Sequence, residues 1–440
     1  MPGRVEFVAM MSLLMGLIAI GIDLMLPGMA DIAADLGVAD STGVAGIVTT
    51  YFLGLAVGQL LWGPLADRYG RKVALNLGLF VIVAGALASA VAPSLPVLLA
   101  TRFAWGFGAS AARSTTLTVV RDRYRGDRMA SVMSLIMSVF ILVPVVAPTI
   151  GAGALAVTSW RGLFVAIAVA ALVELVWLRR LPETLTPERV RSLAPRQVVG
   201  SMSLVFANRV TIGYLLALTA LTSAFTAWIS LAEPVIIGIY DMETAFPFLF
   251  GALALSMAVA SLGNARVVER VGARRLVRLV LALYCGVTLV LVAVAVASGG
   301  VPPLWVLVVG MASILMCHAF LQSNAQSLAM DPMGEVAGVA SALIGAISLG
   351  VGTVLGTVVQ LLFDDTITPI AVAFALSGFL AALFARWAES TRDPADGGPE
   401  ADDDPGHADD TVATTDDVAP APPVVAASTP APATAPSSTG

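Results

Sequence analysis

The stretch GPLADRYGRK, residues Gly63–Lys72, decides the fold because it places four charges and two glycines in ten residues of a strongly apolar chain. Of the 440 residues, 58% are hydrophobic and 12% are charged, and the mean hydropathy is +0.89. A soluble domain cannot bury that much apolar surface. The composition therefore predicts a protein that lies in a lipid bilayer, with this stretch in one of its water-exposed connections.

The apolar residues fall into twelve runs, each long enough to cross a bilayer as a helix of roughly 20 residues. In lipid every backbone polar group needs an internal partner, and runs of this length are typical of helices and not of barrel strands. The first run carries Asp23 and eleven similar runs follow it, so it is interpreted as a retained span and not as a signal peptide. The predicted spans are 7–28, 43–63, 73–92, 96–119, 129–154, 162–180, 210–234, 245–264, 276–298, 303–328, 336–363 and 367–387.

Basic residues are concentrated in alternate connections between the spans. The connections after spans 2, 4, 6 and 8 carry clusters of arginine, whereas the opposite connections carry a single basic residue, Arg161, among several acidic ones. Lys and Arg near the ends of spans stay on the cytoplasmic side. The pattern therefore predicts that both termini lie in the cytoplasm.

The opening stretch has a weaker copy later in the chain. Asp67–Lys72 and Glu269–Arg274 share the order acid, Arg, any residue, Gly, any residue, base, and they lie 202 residues apart, each after the second span of a set of six. Such repeats are typical of transporters built from two related halves. The predicted divisions are 1–180, a six-helix bundle; 181–209, a cytoplasmic linker; 210–388, a second six-helix bundle; and 389–440, an acidic, Ala/Pro-rich cytoplasmic tail that is expected to be disordered.

These features resemble the major facilitator superfamily, whose loop motif GPLADRYGRK matches at each position. Further segments are similar to the Bcr/CflA (bicyclomycin/chloramphenicol-resistance) family of drug:proton antiporters: IDLMLPGMADIAADLG from Ile22, RDRYRG from Arg121, WRGLF from Trp160 and LPETL from Leu181. The resemblance implies a multi-pass, monomeric transporter of the bacterial cytoplasmic membrane. It would export drugs or other small amphiphilic molecules in exchange for protons, with antibiotic resistance as the consequence. Its partners would be substrate, protons and lipid, without nucleic acid or a cofactor.

Asp23 and Arg102 are the predicted proton-coupling residues. A carboxylate inside a span is costly unless it is paired, neutralised or placed on a polar cavity. Span 1 runs outward and span 4 inward, so the two side chains fall at similar depths and are able to meet. The resemblance assigns coupling to the arginine of span 4, although Trp105 stands where that motif usually has Gln. The alternatives are a solvated Asp23 at the outer interface and an Arg102 that reaches the outer surface.

Arg113 is assigned to the same coupling group because it follows Arg102 by eleven residues and returns to almost the same helix face. That face is expected to line the central cavity, and a structural contact with a helix-end carbonyl is the alternative. Span 5 offers VPVVAPTIGAG, a partial antiporter-like motif with Pro144, Ala147, Pro148 and Gly151. Small residues beside prolines permit a kink and close helix approach, and plain packing explains the motif nearly as well.

The opening stretch and its copy are expected to act as a conformational latch. The resemblance implies that the cluster holds the cytoplasmic side closed in the outward-facing state. Gly63 is expected to allow close helix approach, Gly70 a tight turn, and Asp67 a pairing with arginines or with a helix N-terminus. The latch residues are Gly63, Asp67, Arg68, Gly70, Arg71, Glu269, Arg270 and Gly272.

A substrate cavity needs an apolar wall with a few polar groups. The candidates for it are Tyr51, Trp105, Trp228, Glu233, Gln322 and Asn324. Aromatic residues in spans are more often ordinary packing, and Glu174 and Glu233 are more often interface carboxylates than ligands.

Other functional classes are disfavoured by the sequence. An ATP-driven pump needs a phosphate-binding loop with Lys followed by Ser or Thr, whereas the sole lysine, Lys72, precedes Val73. The two cysteines and two histidines form neither a metal motif nor a catalytic constellation. The remaining alternatives are an exporter or importer of an endogenous metabolite with the same fold and, more distantly, a membrane sensor that does not transport.

Overall fold

All the regular secondary structure in the described ranges is helical. The computed structural model describes residues 3–38, 41–185 and 195–390. The helices are α1 (Arg4–Asp23), α2 (Met29–Asp35), α3 (Ser41–Tyr69), α4 (Arg71–Ala90), α5 (Leu95–Arg123), α6 (Gly126–Leu155), α7 (Trp160–Trp177), α8 (Pro195–Ala207), α9 (Arg209–Glu233), α10 (Phe246–Val271), α11 (Ala273–Ala297), α12 (Leu304–Met330), α13 (Ala337–Leu361) and α14 (Thr368–Glu389). Short 3-10 segments lie at Leu26–Gly28, Leu178–Arg180 and Asp331–Val336, and a π-helical segment lies at Pro234–Ile239.

The predicted spans correspond to α1, α3 to α7 and α9 to α14, which confirms an all-helical membrane fold. In the described part of the chain, eleven helical segments are long and apolar enough to cross a membrane. The predicted span outside that set is α5, which has 29 residues but carries four arginines and several hydroxyl side chains along its length. It packs against α3, α4 and α1, so the polar side chains of Arg102, Ser110, Thr115 and Thr116 are covered by protein. The number of crossings and their orientation stay predictions.

The opening stretch does not form the loop predicted for it. Helix α3 continues through Pro64 to Tyr69, and α4 begins at Arg71, so Gly70 is the single connecting residue. The copy behaves in the same way, because α10 ends at Val271, α11 begins at Ala273, and Gly272 joins them. Both helices therefore continue past the predicted span ends at 63 and 264, which followed hydropathy alone.

Helix α1 ends before the end of the predicted span 7–28. Helix α1 stops at Asp23, and the 3-10 segment Leu26–Gly28 and the short helix α2 follow it. Pro27 explains this end, because proline has no N–H to continue the helical ladder and clashes with the preceding turn. Asp23 therefore lies at the end of α1, within the apolar segment Arg4–Asp35, which is long enough to cross a membrane.

The long helices pack in two groups with a few contacts between them. Helices α1 and α3 to α7 pack among themselves, as do α9 to α14, while α3 contacts α13 and α9, and α6 contacts α10. The predicted linker contains a 13-residue helix, α8, which packs against α9 and α13. The predicted domain boundaries stay predictions. Of the predicted tail, the stretch from residue 391 onward lies outside the described residues.

Candidate transport site

Asp23 is a buried carboxylate at the end of α1. Its side chain is 5% exposed, and within the described residues it forms no hydrogen bond or ion pair. The neighbouring helix α3 covers this turn, because Tyr51 donates a hydrogen bond of 2.9 Å to the carbonyl of Ile18 and its ring lies against Gly21. The structure therefore does not show the solvated interface carboxylate that was the alternative for Asp23.

Arg102 lies beside the same turn, in what we call the arginine cage, formed by Tyr51, Trp105 and Phe164. The guanidinium carbon lies 4.6 Å from the ring centres of Tyr51 and Trp105 and 5.8 Å from that of Phe164. Arg102 is fully buried, so it does not reach the outer surface. Stacking on three aromatic faces stabilises a cation that has left water.

The hydrogen bonds of Arg102 end on backbone carbonyls. Nη2 donates to Gly21 over 2.7 Å and Nε to Ile47 over 3.4 Å, while Nη1 has no partner among the described residues. Gly21 precedes Asp23 by two residues, so both groups lie at the same end of α1. No ion pair joins them in this part of the structure, because the guanidinium is held by the carbonyls and the rings. Trp105 thus supplies a ring where the family motif usually has a hydrogen-bonding Gln.

Arg113 lies about three turns further along α5 and has an exposed side chain. Among the described residues it forms no hydrogen bond or ion pair, so the expected alternative, a contact with a helix-end carbonyl, is not observed. Arg102 and Arg113 lie on almost the same face of α5. Other helices cover this face at Arg102, whereas at Arg113 it is exposed. The open level is the predicted cytoplasmic half of α5.

The two groups of helices meet on the predicted outer side. Oγ1 of Thr49 on α3 lies 3.2 Å from Oε1 and 3.1 Å from Nε2 of Gln360 on α13, and both side chains are buried. Helices α6 and α10 approach closely where the carbonyl of Val145 lies against the Cα of Gly251. These contacts tie the halves together near the level of Asp23.

Arg71 is the centre of the predicted latch. Its guanidinium pairs with Asp67 at 2.9 Å and with Asp122 at the end of α5 at 3.2 Å, and Nη1 donates to the carbonyl of Ala66 over 2.7 Å. Arg71 is 5% exposed. The predicted pairing of Asp67 with an arginine is present. The partners of Arg71 named above all belong to the first half of the chain.

Glu183 caps α4 from the segment after α7. Its carboxylate accepts the backbone N–H of Arg71 at 2.9 Å and of Lys72 at 3.0 Å, which places a negative charge on a helix N-terminus. Sequence reasoning assigned no role to Asp122 or Glu183, although both lie in segments that carried the family resemblance, RDRYRG and LPETL. The segments that indicate the family therefore also contain these two partners of Arg71.

The copy in the second half keeps the arrangement with its base displaced by one position. Arg274 lies 3.6 Å from Asp331 and 3.8 Å from Glu389, which follow α12 and end α14. Ala273 stands where the first half has Arg71, and Glu269 and Arg270 are exposed. In the copy, the two carboxylates therefore surround Arg274, and the predicted latch residue Glu269 is not one of them.

Two glycines of the predicted site behave differently from each other. No atom of the described residues lies within 4 Å of where a Cβ at Gly63 would be, so close helix approach, the reason predicted for this glycine, is wrong. Gly151 on α6 does permit it, because a Cβ there would collide with the carbonyl of Leu24. Pro144 and Pro148 lie inside α6 and Ala147 is buried.

Most of the predicted cavity residues are packed in the interior. Tyr51 and Trp105 belong to the arginine cage, Trp228 is buried, and Asn324 is buried with Nδ2 donating to Asn264 over 2.7 Å. Glu233, which ends α9, is 9% exposed. Oε1 of Gln322 is buried without a partner among the described residues. Four residues away on α12, His318 stacks on Phe225 with ring centres 4.7 Å apart.

A helical membrane protein with two related halves, a buried carboxylate and a caged arginine has the features of a secondary transporter. The chain belongs to the major facilitator superfamily, which it matches over residues 11–357, and its relatives place it in the Bcr/CflA branch. Its architecture is similar to that of the xylose transporter of Escherichia coli in a partially occluded inward-open conformation, with a TM-score of 0.68 and 13% identity over 90% of this chain and 99% of that one.

The curated relatives cover most of the chain. A bicyclomycin resistance protein homolog of Haemophilus influenzae is 30% identical over 367 residues, 83% of this chain and 91% of the relative. A chloramphenicol resistance protein of Pseudomonas aeruginosa is 28% identical over 369 residues, 81% and 84% of the two chains. Multidrug resistance protein D of Escherichia coli is 27% identical over 385 residues, 86% and 95%. The chain is thus a multi-pass transporter of the bacterial cytoplasmic membrane.

Proposed function

We propose that this transporter exports small amphiphilic drugs in exchange for protons, as a monomer and without a cofactor. The names of the relatives supply the substrate class, since they include resistance to bicyclomycin and to chloramphenicol. The observation that carries the proposal is the unpaired, buried carboxylate of Asp23 beside the caged guanidinium of Arg102.

The coupling step follows from the geometry of that pair. When Asp23 is neutral, Arg102 rests on the carbonyl of Gly21 and on the rings of its cage, as described above. When Asp23 loses its proton, Arg102 at the same end of α1 offers it a buried N–H, since its Nη1 has no partner in the described structure. The attraction changes the contact between α1 and α5, and proton binding thereby biases one conformation over the other.

The substrate would bind between the halves, where α12 presents polar groups. His318, stacked on Phe225, and Gln322, with its free Oε1, lie one turn apart on α12. A flat ring surface beside a hydrogen-bond acceptor suits a small amphiphilic molecule.

The test uses purified protein in liposomes with an imposed pH gradient. Labelled chloramphenicol and bicyclomycin are supplied on the cytoplasmic face, and accumulation is measured while the substrate compartment is the alkaline one. We expect wild-type protein to accumulate at least one of them, and Asp23→Asn to lose accumulation while it still exchanges substrate at equal concentrations, because substrate exchange needs no net proton movement.

Asp241→Asn is the matched control. Asp241 is an exposed acid with a φ of 55°, a conformation that Asn also tolerates, so this variant should behave like wild type. Gradient-driven accumulation by Asp23→Asn at the wild-type rate would overturn the coupling role of Asp23.

A further inference from the structure

Glu174 is a buried carboxyl group that the proposed coupling step does not use. It lies near the predicted cytoplasmic end of α7, on the helix face that also buries Phe164, Ile167 and Ala171. Its side chain has no exposed surface, and neither carboxylate oxygen has a hydrogen-bond partner among the described residues. The expectation of an interface carboxylate at this position is therefore wrong.

No charge on the helices around Glu174 pairs with it in the described structure. Helix α7 packs against α4, α1 and, more lightly, α6. On α4, Arg71 pairs with Asp67 and Asp122, and Lys72 donates to the carbonyl of Arg179. On α1, Arg4 donates to Ser131, Glu6 pairs with Arg180, and Asp23 lies at the opposite end. Arg123 on α5 stacks on Phe7, whereas Arg113 on α5 and Arg128 on α6 are exposed. No cation of the described residues is thus paired with Glu174.

An ionised carboxylate at this position would be buried without a counter-charge, which costs several kcal/mol. The neutral acid avoids that cost, and it also brings a donor to a region that contains unpaired hydroxyl groups. Oγ of Ser12 on α1 and Oγ1 of Thr116 on α5 are buried and have no partner in the described structure.

The hydroxyl of Ser12 lies near the level of Glu174. The side chain of Trp177 donates to Glu6, which aligns α7 with α1; Glu174 lies three residues outward from Trp177 and Ser12 six residues outward from Glu6, so their levels differ by about 5 Å at 1.5 Å per residue. Buried polar groups left unpaired at one level are typical of an internal water site. The cytoplasmic surface, marked by the ion pair of Glu6 and Arg180, is about one to two helical turns away.

Glu174 is distinct from the predicted coupling site. Phe164 on the same helix is part of the arginine cage. Glu174 follows Phe164 by ten residues, or about 15 Å along α7. Among the described residues, the first half of the molecule therefore buries two carboxyl groups that have no partner, Asp23 at its predicted outer end and Glu174 at its predicted cytoplasmic end.

We infer that Glu174 is a second proton-binding site, which holds a proton in this conformation and exchanges it with the cytoplasm. The inference goes beyond the proposed function, since it concerns a different residue, and it predicts that the transporter carries one titratable group more than the Asp23 site alone supplies.

The test is carbodiimide labelling of the purified full-length protein in liposomes without substrate. Dicyclohexylcarbodiimide enters apolar regions and reacts with protonated carboxyl groups, and mass spectrometry locates the product. We expect label at Glu174 at about pH 6, a marked loss of label at about pH 9, and none at Glu6, which is paired on the surface. Absence of label on Glu174 at both pH values would overturn the proposal.

A second measurement compares thermal unfolding of wild type and Glu174→Gln across the same pH range. The amide of Gln stays neutral, whereas the acid has to be kept protonated in the folded protein at increasing cost as the pH rises. The melting temperature of wild type should therefore fall relative to that of Glu174→Gln with rising pH, and Glu6→Gln should not show this divergence. Parallel curves for wild type and Glu174→Gln would contradict the inference. Neither measurement depends on transport. The proton site at Glu174 and the proposed coupling at Asp23 are therefore tested independently of each other.

Discussion

At the scale of the residue, Trp105 explains how a guanidinium is buried without a carboxylate. A hydrogen-bonding side chain at this position would satisfy one N–H of Arg102, whereas the indole covers the whole face of the cation at 4.6 Å. The ring is itself braced, because Phe164 contacts it edge-on with centres 5.7 Å apart. Arg102 is thereby held in one position while its Nη1 stays without a partner among the described residues.

Replacing the indole should separate these contributions. Trp105→Gln removes a buried ring and should cost about 3–5 kcal/mol of packing and about 0.5–2 kcal/mol of cation–π attraction, whereas Trp105→Phe keeps an aromatic face and should lose less. Thermal unfolding in detergent measures both variants, and equal losses would show that the ring face does not stabilise the cation.

The same pair of variants bears on coupling. If the cage sets where Arg102 rests, Trp105→Gln should shift the pH dependence of gradient-driven transport, and Trp105→Phe should keep the wild-type profile. Identical profiles for all three proteins would indicate that the cage only adds stability.

At the scale of the element, the junction of α3 and α4 depends on a single residue. Gly70 has φ 108° and ψ 150°, a region that is essentially restricted to glycine. A Cβ there would also lie 2.5 Å from Oε2 of Glu183. The turn lets Arg71 begin a new helix within reach of both Asp67 and Asp122.

Gly70→Ala is expected to destabilise the protein by on the order of 1–3 kcal/mol and to slow transport, since the carboxylate of Glu183 is displaced from the helix N-terminus. Gly63→Ala is the control: it lies within α3 with open space around it in the described structure, and alanine favours a helix. It should be as stable as wild type or more so. A Gly70→Ala variant with the wild-type melting temperature and rate would contradict this role of the turn.

At the scale of the whole molecule, the two halves are joined on the predicted outer side by Thr49 and Gln360. Alternating access requires such contacts to separate during each cycle. Because α3 and α13 pack against each other, a covalent link at this point should stop the cycle.

Thr49→Cys with Gln360→Cys, in a chain whose Cys285 and Cys317 are replaced by Ala, tests this requirement. Joining the two thiols with a short bifunctional reagent that reduction cleaves should abolish transport, and reduction should restore it. Each single cysteine variant treated in the same way should keep its activity. Full transport by the linked protein would show that this contact does not open.

The sequence by itself determined the membrane class, the helical fold, the internal repeat and the family. These depend on long apolar runs and on a ten-residue motif, which are local in the chain. It also placed Asp23 and Arg102 at one depth, because helix rise alone sets that level.

Only the tertiary structure decided which groups meet. Arg102 takes carbonyls and rings in place of Asp23, Arg71 gathers Asp122 and Glu183 from distant segments, and Glu174 is buried without a partner in the described chain. The physical reason is that burial and pairing depend on the neighbouring helices, which come from elsewhere in the sequence. Hydropathy fixes that a helix lies in the membrane, whereas the packing of the bundle fixes which of its charges are left unpaired.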